Sequence, residues 1–138
     1  MKFNRLSMIM AAAMALAACS QTPAETSLKD AYADSFMIGC AVNPSHTSGR
    51  LEQANELLLT HFNAISPENC LKPEAVQPRP GVWTFEEADE YVRFGEEHDM
   101  WMLGHTLVWH NQTPSFYWEN PDGTPKSREE LIETMRAH

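Results

Sequence analysis

Phe36-Met-Ile-Gly-Cys-Ala-Val42 is an almost uninterrupted apolar run. A strand covered on both faces reads this way, and such strands belong to parallel sheets. Outward from it, Leu51, Ala54, Leu57 and Leu58 recur at helical spacing, and Phe62-Asn-Ala-Ile-Ser66 is a second short strand candidate. Thr84-Phe-Glu-Glu87 matches a capping box, followed by a helix to about His98 with Phe85, Ala88, Tyr91 and Val92 on one face. Met100 to Trp109 reads as the third strand, with Trp101 in the core. A second capping box, Ser127-Arg-Glu-Glu130, opens a helix through Leu131, Ile132 and Met135. Strand candidates near 36, 62 and 100, each followed by a helix, predict an α/β chain with a parallel sheet and right-handed crossovers. The loops that follow the strands are long: 67–82 holds Pro67, Pro73, Pro78, Pro80 and Gly81, and 111–126 holds Pro114, Pro121, Gly123 and Pro125. The loops that follow the helices are short. In α/β barrels ligands bind on the side where strands end. About three βα units cannot close such a barrel, and no internal repeat is evident.

The chain has 138 residues, 43% of them apolar and 21% charged, which suits one globular domain and excludes collagen-like or disordered chains. The formal net charge of −9, from 10 Lys+Arg against 19 Asp+Glu, argues against a nucleic-acid binder, because phosphate recognition needs a basic footprint. A mean hydropathy of −0.42 and the lack of a long apolar run after residue 19 argue against a membrane span. The first residues read as an address. Lys2 and Arg5 precede Leu6–Ala18, apolar but for Ser7, which is short for a bilayer span and suits a secretory signal. Leu16-Ala17-Ala18-Cys19 is similar to the bacterial lipobox, so residues 1–18 are expected to be removed and Cys19 lipidated. The alternative is an ordinary signal cleaved after an alanine. Residues 19–34 are polar and aperiodic and read as a tether, which puts the domain at 35–138. Cys40 and Cys70 allow one disulfide, but two separate buried thiols are the preferred reading.

The loop Ser66-Pro67-Glu68-Asn69-Cys70-Leu71-Lys72 brings a carboxylate, an amide and an ammonium within five residues. Such a trio can bond several hydroxyls at once; it also reads as a solvated loop with a local salt bridge. In Gly104-His105-Thr106-Leu107-Val108-Trp109-His110-Asn111-Gln112-Thr113-Pro114, strand parity puts His105, Leu107 and Trp109 on one face and His110 on the other. The two histidines therefore do not converge on a metal, and their spacing matches no zinc motif. Trp109 offers a flat apolar face with an N–H handle, suited to the C–H face of a sugar ring. Phe116-Tyr117-Trp118 either lines a cleft or packs the loop, and packing is the preferred reading.

Three stretches now carry a resemblance. Ser66-Pro-Glu-Asn…Lys72, Gly81-Val-Trp-Thr-Phe85 and Gly104-His-Thr-Leu-Val-Trp-His-Asn-Gln-Thr-Pro114 resemble glycoside hydrolase family 10, the endo-β-1,4-xylanases, in order and spacing. Leu71 stands where the family often has Met, and Cys70 and Pro73 flank the lysine where an acidic residue and a Trp are common. The resemblance spans roughly residues 35–138. It implies the N-terminal part of a (β/α)8 TIM barrel with a sugar cleft across its C-terminal face. It implies that Glu68, Asn69 and Lys72 hydrogen-bond the xylose on the non-reducing side of the cleaved bond. His105 would contact the sugar at the cleavage position, Trp109 would wall it, and Gln112 would reach the neighbouring sugar. No cofactor or metal is implied.

The family's retaining mechanism needs two glutamates, after strands four and seven, and both are expected beyond His138. The chain is therefore expected to be the N-terminal part of a xylanase that is monomeric at full length. These 138 residues alone are expected to be inactive and poorly folded, since an open parallel edge invites association. Xylan or xylo-oligosaccharide is the expected partner. The expected location is an exported lipoprotein, held at the outer membrane only by its N-terminal lipid, on its periplasmic or cell-surface side. The rivals are a non-catalytic glycan-binding surface lipoprotein and a truncated, nonfunctional gene product.

Overall fold

The structure, a computed structural model, describes residues 26–138. The signal 1–18, Cys19 and the first part of the tether lie outside the described residues. After a helical turn α1 (Leu28–Ala31) come strand β1 (Gly39–Val42), helices α2 (Pro44–Thr47) and α3 (Glu52–His61), and strand β2 (Ala64–Pro67). Helices α4 (Pro73–Val76) and α5 (Glu86–Glu97) lead to strand β3 (Trp101–Met102), a 3-10 turn at Ser115–Tyr117 and helix α6 (Arg128–Ala137). The strands form one parallel sheet in the order β1-β2-β3, with Gly39 opposite Ala64, Val42 opposite Pro67 and Ala64 opposite Trp101. Parallel neighbours need a crossover between them, and α3 and α5 supply it.

The core lies between the sheet and these helices: Val42, Leu58, Ile65, Cys70, Tyr91, Phe94 and Met100 form one buried cluster. Each large side chain buried there contributes roughly 1.5–3 kcal/mol. Helix α5 turns Ala88, Tyr91, Phe94 and Gly95 inward. At Gly95 the helix rests on β3 so closely that a Cβ would lie 2.2 Å from the Met102 sulfur. The Tyr91 hydroxyl reaches two carbonyl oxygens, 2.8 Å from Ile65 and 3.1 Å from Leu103, and shares its hydrogen between the end of β2 and the segment after β3. Burial pushes this phenol up to about 12, so it stays a donor. Burial likewise raises the Cys40 thiol, and burial followed by the charge of Glu87 pushes Cys70 up to about 11. The two are separate free thiols, but only Cys70 is buried as the preferred reading held; Cys40 is half-buried.

The Ser127 capping box forms as the sequence predicts. Ser127 Oγ accepts from the Glu130 N–H at 3.3 Å while Glu130 accepts from the Ser127 N–H at 2.7 Å, which holds its carboxyl below the usual range. Beyond that helix end, Tyr117 Oη lies 2.7 Å from His138 Nδ1 and donates to Gln77 Oε1 at 2.9 Å. The His138 ring stacks on Trp83, and burial lowers its pKa.

Several expectations are corrected. The run from Phe36 is not a strand covered on both faces: Phe36 is 58% exposed and stacks on Tyr32, and Gly39 and Ala41 are exposed. The Ile38 N–H goes to Asn63 Oδ1, a side-chain acceptor, so the ladder begins only at Gly39. Leu57, Phe85 and Val92 are exposed, and Phe94 and Gly95 take the inner face of α5 instead. Trp101 is 52% exposed, not core. Thr84 does not cap α5: its hydroxyl donates to the Ala75 carbonyl, and Phe85 occupies the cap position without a side-chain bond. The third strand ends at Met102, because the chain beyond Leu103 turns away from the ladder. The stretch expected to be tether up to residue 34 contains α1, capped by Ser27 and fixed to α3 by Lys29 Nζ on the Leu59 carbonyl at 2.6 Å.

In the full-length protein, Tyr91→Phe is expected to cost about 1–2 kcal/mol, since the Leu103 carbonyl loses its donor and Ile65 keeps only the Leu103 N–H, while packing is kept. Denaturant unfolding checks this; an unchanged midpoint would show that the hydroxyl is dispensable.

Candidate functional site

Each sequence-predicted binding residue lies where a strand ends. Glu68 and Asn69 follow β2 directly, Lys72 precedes α4, and His105, Trp109 and Gln112 lie on the irregular segment after β3. All strands run in parallel, so these loops emerge on one side of the sheet.

Lys72 is the anchor. It is only 7% exposed, and a buried ammonium must have its donors satisfied. Its Nζ donates to Asn69 Oδ1 at 3.0 Å and, over a shorter distance, to Gln112 Oε1. It also sits 4.6 Å from the Trp109 ring centroid, a cation–π contact worth about 0.5–2 kcal/mol. Gln112 Nε2 donates to the same Asn69 Oδ1 at 3.0 Å. Asn69 Oδ1 thus accepts twice, so the Asn69 amide nitrogen faces away from this triangle with its donors free for a ligand. Lys72 keeps one further N–H beyond these two bonds.

Gln112 is held from several sides. Its backbone φ is +51°, in the left-handed region where a side chain is strained. Its N–H goes to Asn111 Oδ1 at 3.0 Å, and its carbonyl accepts from the Glu74 N–H at 2.9 Å. Surrounding bonds that over-determine a residue are what sustain such a conformation, and such residues gather at functional sites. A second tie, Thr106 N–H to the Leu71 carbonyl at 3.4 Å, joins the same two loops.

The aromatic arrangement differs from strand parity. Residues 103–113 are not strand, so alternation of faces does not apply. The Trp109 ring meets His105 edge-on at 6.1 Å and also His110 at 4.7 Å. His110 therefore stands beside the platform, not on an opposite face. Leu107, read as sharing the His105 face, is 75% exposed.

Glu68 is exposed and forms no ion pair with Lys72; the ion pairs among the described residues are Arg93–Glu97 and Arg128–Glu129. The salt-bridge reading of this loop is thereby excluded. Instead Glu68 Oε2 accepts from Asn43 Nδ2 at 3.2 Å. Asn43 was not among the sequence candidates. Its signal was present: an Asn-Pro pair directly after an apolar strand, with a polar residue three positions on, marks a helix start at the ligand-bearing end. A concavity of about 600 Å³ is lined by Phe116, Asn120, Lys126, Glu130 and Thr134 among others, and holds none of these residues. Tyr117 is buried and Phe116 half-buried, as loop packing requires, while Trp118 is exposed. The site itself is an open shelf at the strand ends.

Lys72→Met is expected to speed hydrogen exchange across 103–113 and to cost about 1–3 kcal/mol, because it strips an ionic donor from Asn69 and Gln112. Exchange at the wild-type rate would mean that the segment stands without Lys72.

Comparison with known proteins gives a consistent answer. The family described as glycosyl hydrolase family 10 matches residues 27–138. Endo-1,4-beta-xylanase B of Paenibacillus barcinonensis is 43% identical over 112 residues, covering 81% of this chain and 32% of that protein. A psychrophilic glycoside hydrolase family 10 endo-beta-1,4-xylanase superposes with a TM-score of 0.77 at 36% identity, covering 82% of this chain and 34% of that one. A mutant protein solved in complex with xylotriose superposes with a TM-score of 0.73 at 37% identity, over 81% of this chain and 33% of that one. The chain thus spans about a third of the length of these proteins.

Proposed function

The chain belongs to glycosyl hydrolase family 10, and on that footing we propose that the protein it comes from is an endo-1,4-β-xylanase, in which these residues grip the substrate. The observation that carries the reading is the bonding pattern around Lys72. Asn69 Oδ1 is consumed by Lys72 and Gln112, which leaves the Asn69 amide N–H donors on the loop that also carries Glu68, while Lys72 lies over the Trp109 ring. A pyranose presents hydroxyls that both donate and accept, together with an apolar C–H face, and this shelf answers both. Relatives named as xylanases and a neighbour bound to xylotriose support the choice of sugar.

Glu68, Asn69 and Lys72 hold the xylose on the non-reducing side of the cleaved bond. His105 and Trp109 bound the cleavage position, and Gln112 reaches the adjoining sugar. Hydrolysis with retention needs a nucleophile and an acid/base about 5–5.5 Å apart. Glu68 is assigned to binding, and both catalytic glutamates are assigned to sequence beyond His138. Residues 1–18 act as an export signal and Cys19 carries the lipid that holds the enzyme at the outer membrane.

The full-length protein is expected to release xylo-oligosaccharides from xylan with the β configuration kept at the new reducing end, read by proton NMR. Binding without turnover would favour the glycan-binding rival. Cys19→Ser is expected to abolish incorporation of labelled palmitate and to free the protein from membranes. Undiminished labelling would sink the anchor.

A further inference from the structure

We propose that Asn43 is a positioning residue for Glu68: the turn that starts α2 fixes the Asn43 amide so that it aims the Glu68 carboxylate at substrate. The inference rests on the xylanase reading but concerns a residue which that reading does not use.

The geometry begins at the end of β1, where Asn43 follows Val42. Its Oδ1 accepts from the Ser45 N–H at 2.9 Å, which caps α2. Its own N–H donates to His46 Nδ1 at 3.2 Å, closing the capping box from the other side. Pro44 at the first helical position holds φ near −65° and makes the turn stiff. With Oδ1 committed to the turn, the amide cannot flip without losing the cap. The Nδ2 donor must then face outward, where it meets Glu68 Oε2 at 3.2 Å. Asn43 is half-buried, whereas Glu68 is exposed and has several rotatable bonds. The rigid partner therefore orders the mobile one. An unrestrained surface glutamate would lose rotamer entropy on binding each substrate molecule. A donor built into the scaffold bears part of that cost during folding. The same bond joins the loop after β1 to the loop after β2 across adjacent strands.

The variant Asn43→Asp separates this role from a structural one. Aspartate caps a helix as well as asparagine does. It keeps the acceptor for Ser45 but turns a carboxylate oxygen toward Glu68 in place of the donor. Kinetics of the full-length protein on p-nitrophenyl β-xylobioside should show KM raised about fivefold, with kcat within about twofold of wild type. In a Glu68→Gln background, Asn43→Asp should raise KM no further, because there is no carboxylate left to aim. Thermal melts give a second readout. Asn43→Asp should lower Tm through like-charge contact. Adding Glu68→Gln should restore it, because the new amide can donate to the new carboxylate. An unchanged KM in Asn43→Asp, or KM effects that multiply independently of residue 68, would overturn the proposal. If the wild-type protein does not turn over the xylobioside, the xylanase reading fails on its own. The melts then decide the pairing: additive Tm shifts reject it and a restoring double variant upholds it.

Discussion

A single phenol hydrogen sits where the sheet hands over to the site. Tyr91 projects from α5 through the core and ends against the carbonyls of Ile65 and Leu103. Those carbonyls belong to the last turns of the chain before the loops after β2 and β3 diverge. A parallel ladder that stops must leave polar groups behind, and in a buried place each one is costly. The hydroxyl supplies a donor to the Leu103 carbonyl and a second one to Ile65, whose carbonyl also takes the Leu103 N–H at 2.9 Å. It thereby ties the crossover helix to both strands at the level from which Glu68, Lys72 and Trp109 depart. Its ring packs in the same cluster as Val42 and Phe94, so one side chain serves the apolar core and the polar strand ends together.

Above that level the order of dependence runs outward. Lys72 is buried and needs acceptors; Asn69 and Gln112 provide them and become fixed in return. The strained backbone of Gln112 is tolerated because its neighbours hold it on every side. The contacts that fix this loop are polar, since its apolar members Leu103, Leu107 and Val108 stay exposed. Sugar binding fits such a shelf: the donors and acceptors are set before the ligand arrives, and the aromatic face waits beside them.

The parts of this design written in local chemistry were legible. Ser127 and Glu130 cap their helix because a hydroxyl and a carboxylate at that spacing each reach the other's backbone N–H. Two of the three family-like stretches meet at Lys72, which bonds Asn69 and Gln112 and lies over Trp109. The parts decided by competition were not. Thr84 has the right partner at Glu87, yet its hydroxyl found the Ala75 carbonyl, which only the folded loop brings near. The apolar letters of Met100–Trp109 suit a strand, but the chain turns away after Met102 while β2 still runs two residues further, to Pro67. Parity then loses its meaning, and His110 lies beside Trp109. Asn43 was overlooked because its two roles, cap and donor, are visible only when Glu68 is seen across the strands.

The contact between Gly95 and Met102 fixes the order in which this sequence can drift. A methyl at position 95 would collide with the middle of the methionine side chain. Met102 can be exchanged for something slimmer first, leaving a gap that a later alanine fills. The reverse order passes through an intermediate with a helix pushed off its strand. Two substitutions that are each tolerable in company are thus unequal as first steps. The helix–sheet seam therefore couples the two positions: any side chain at position 95 requires the Met102 side chain or the helix to move first.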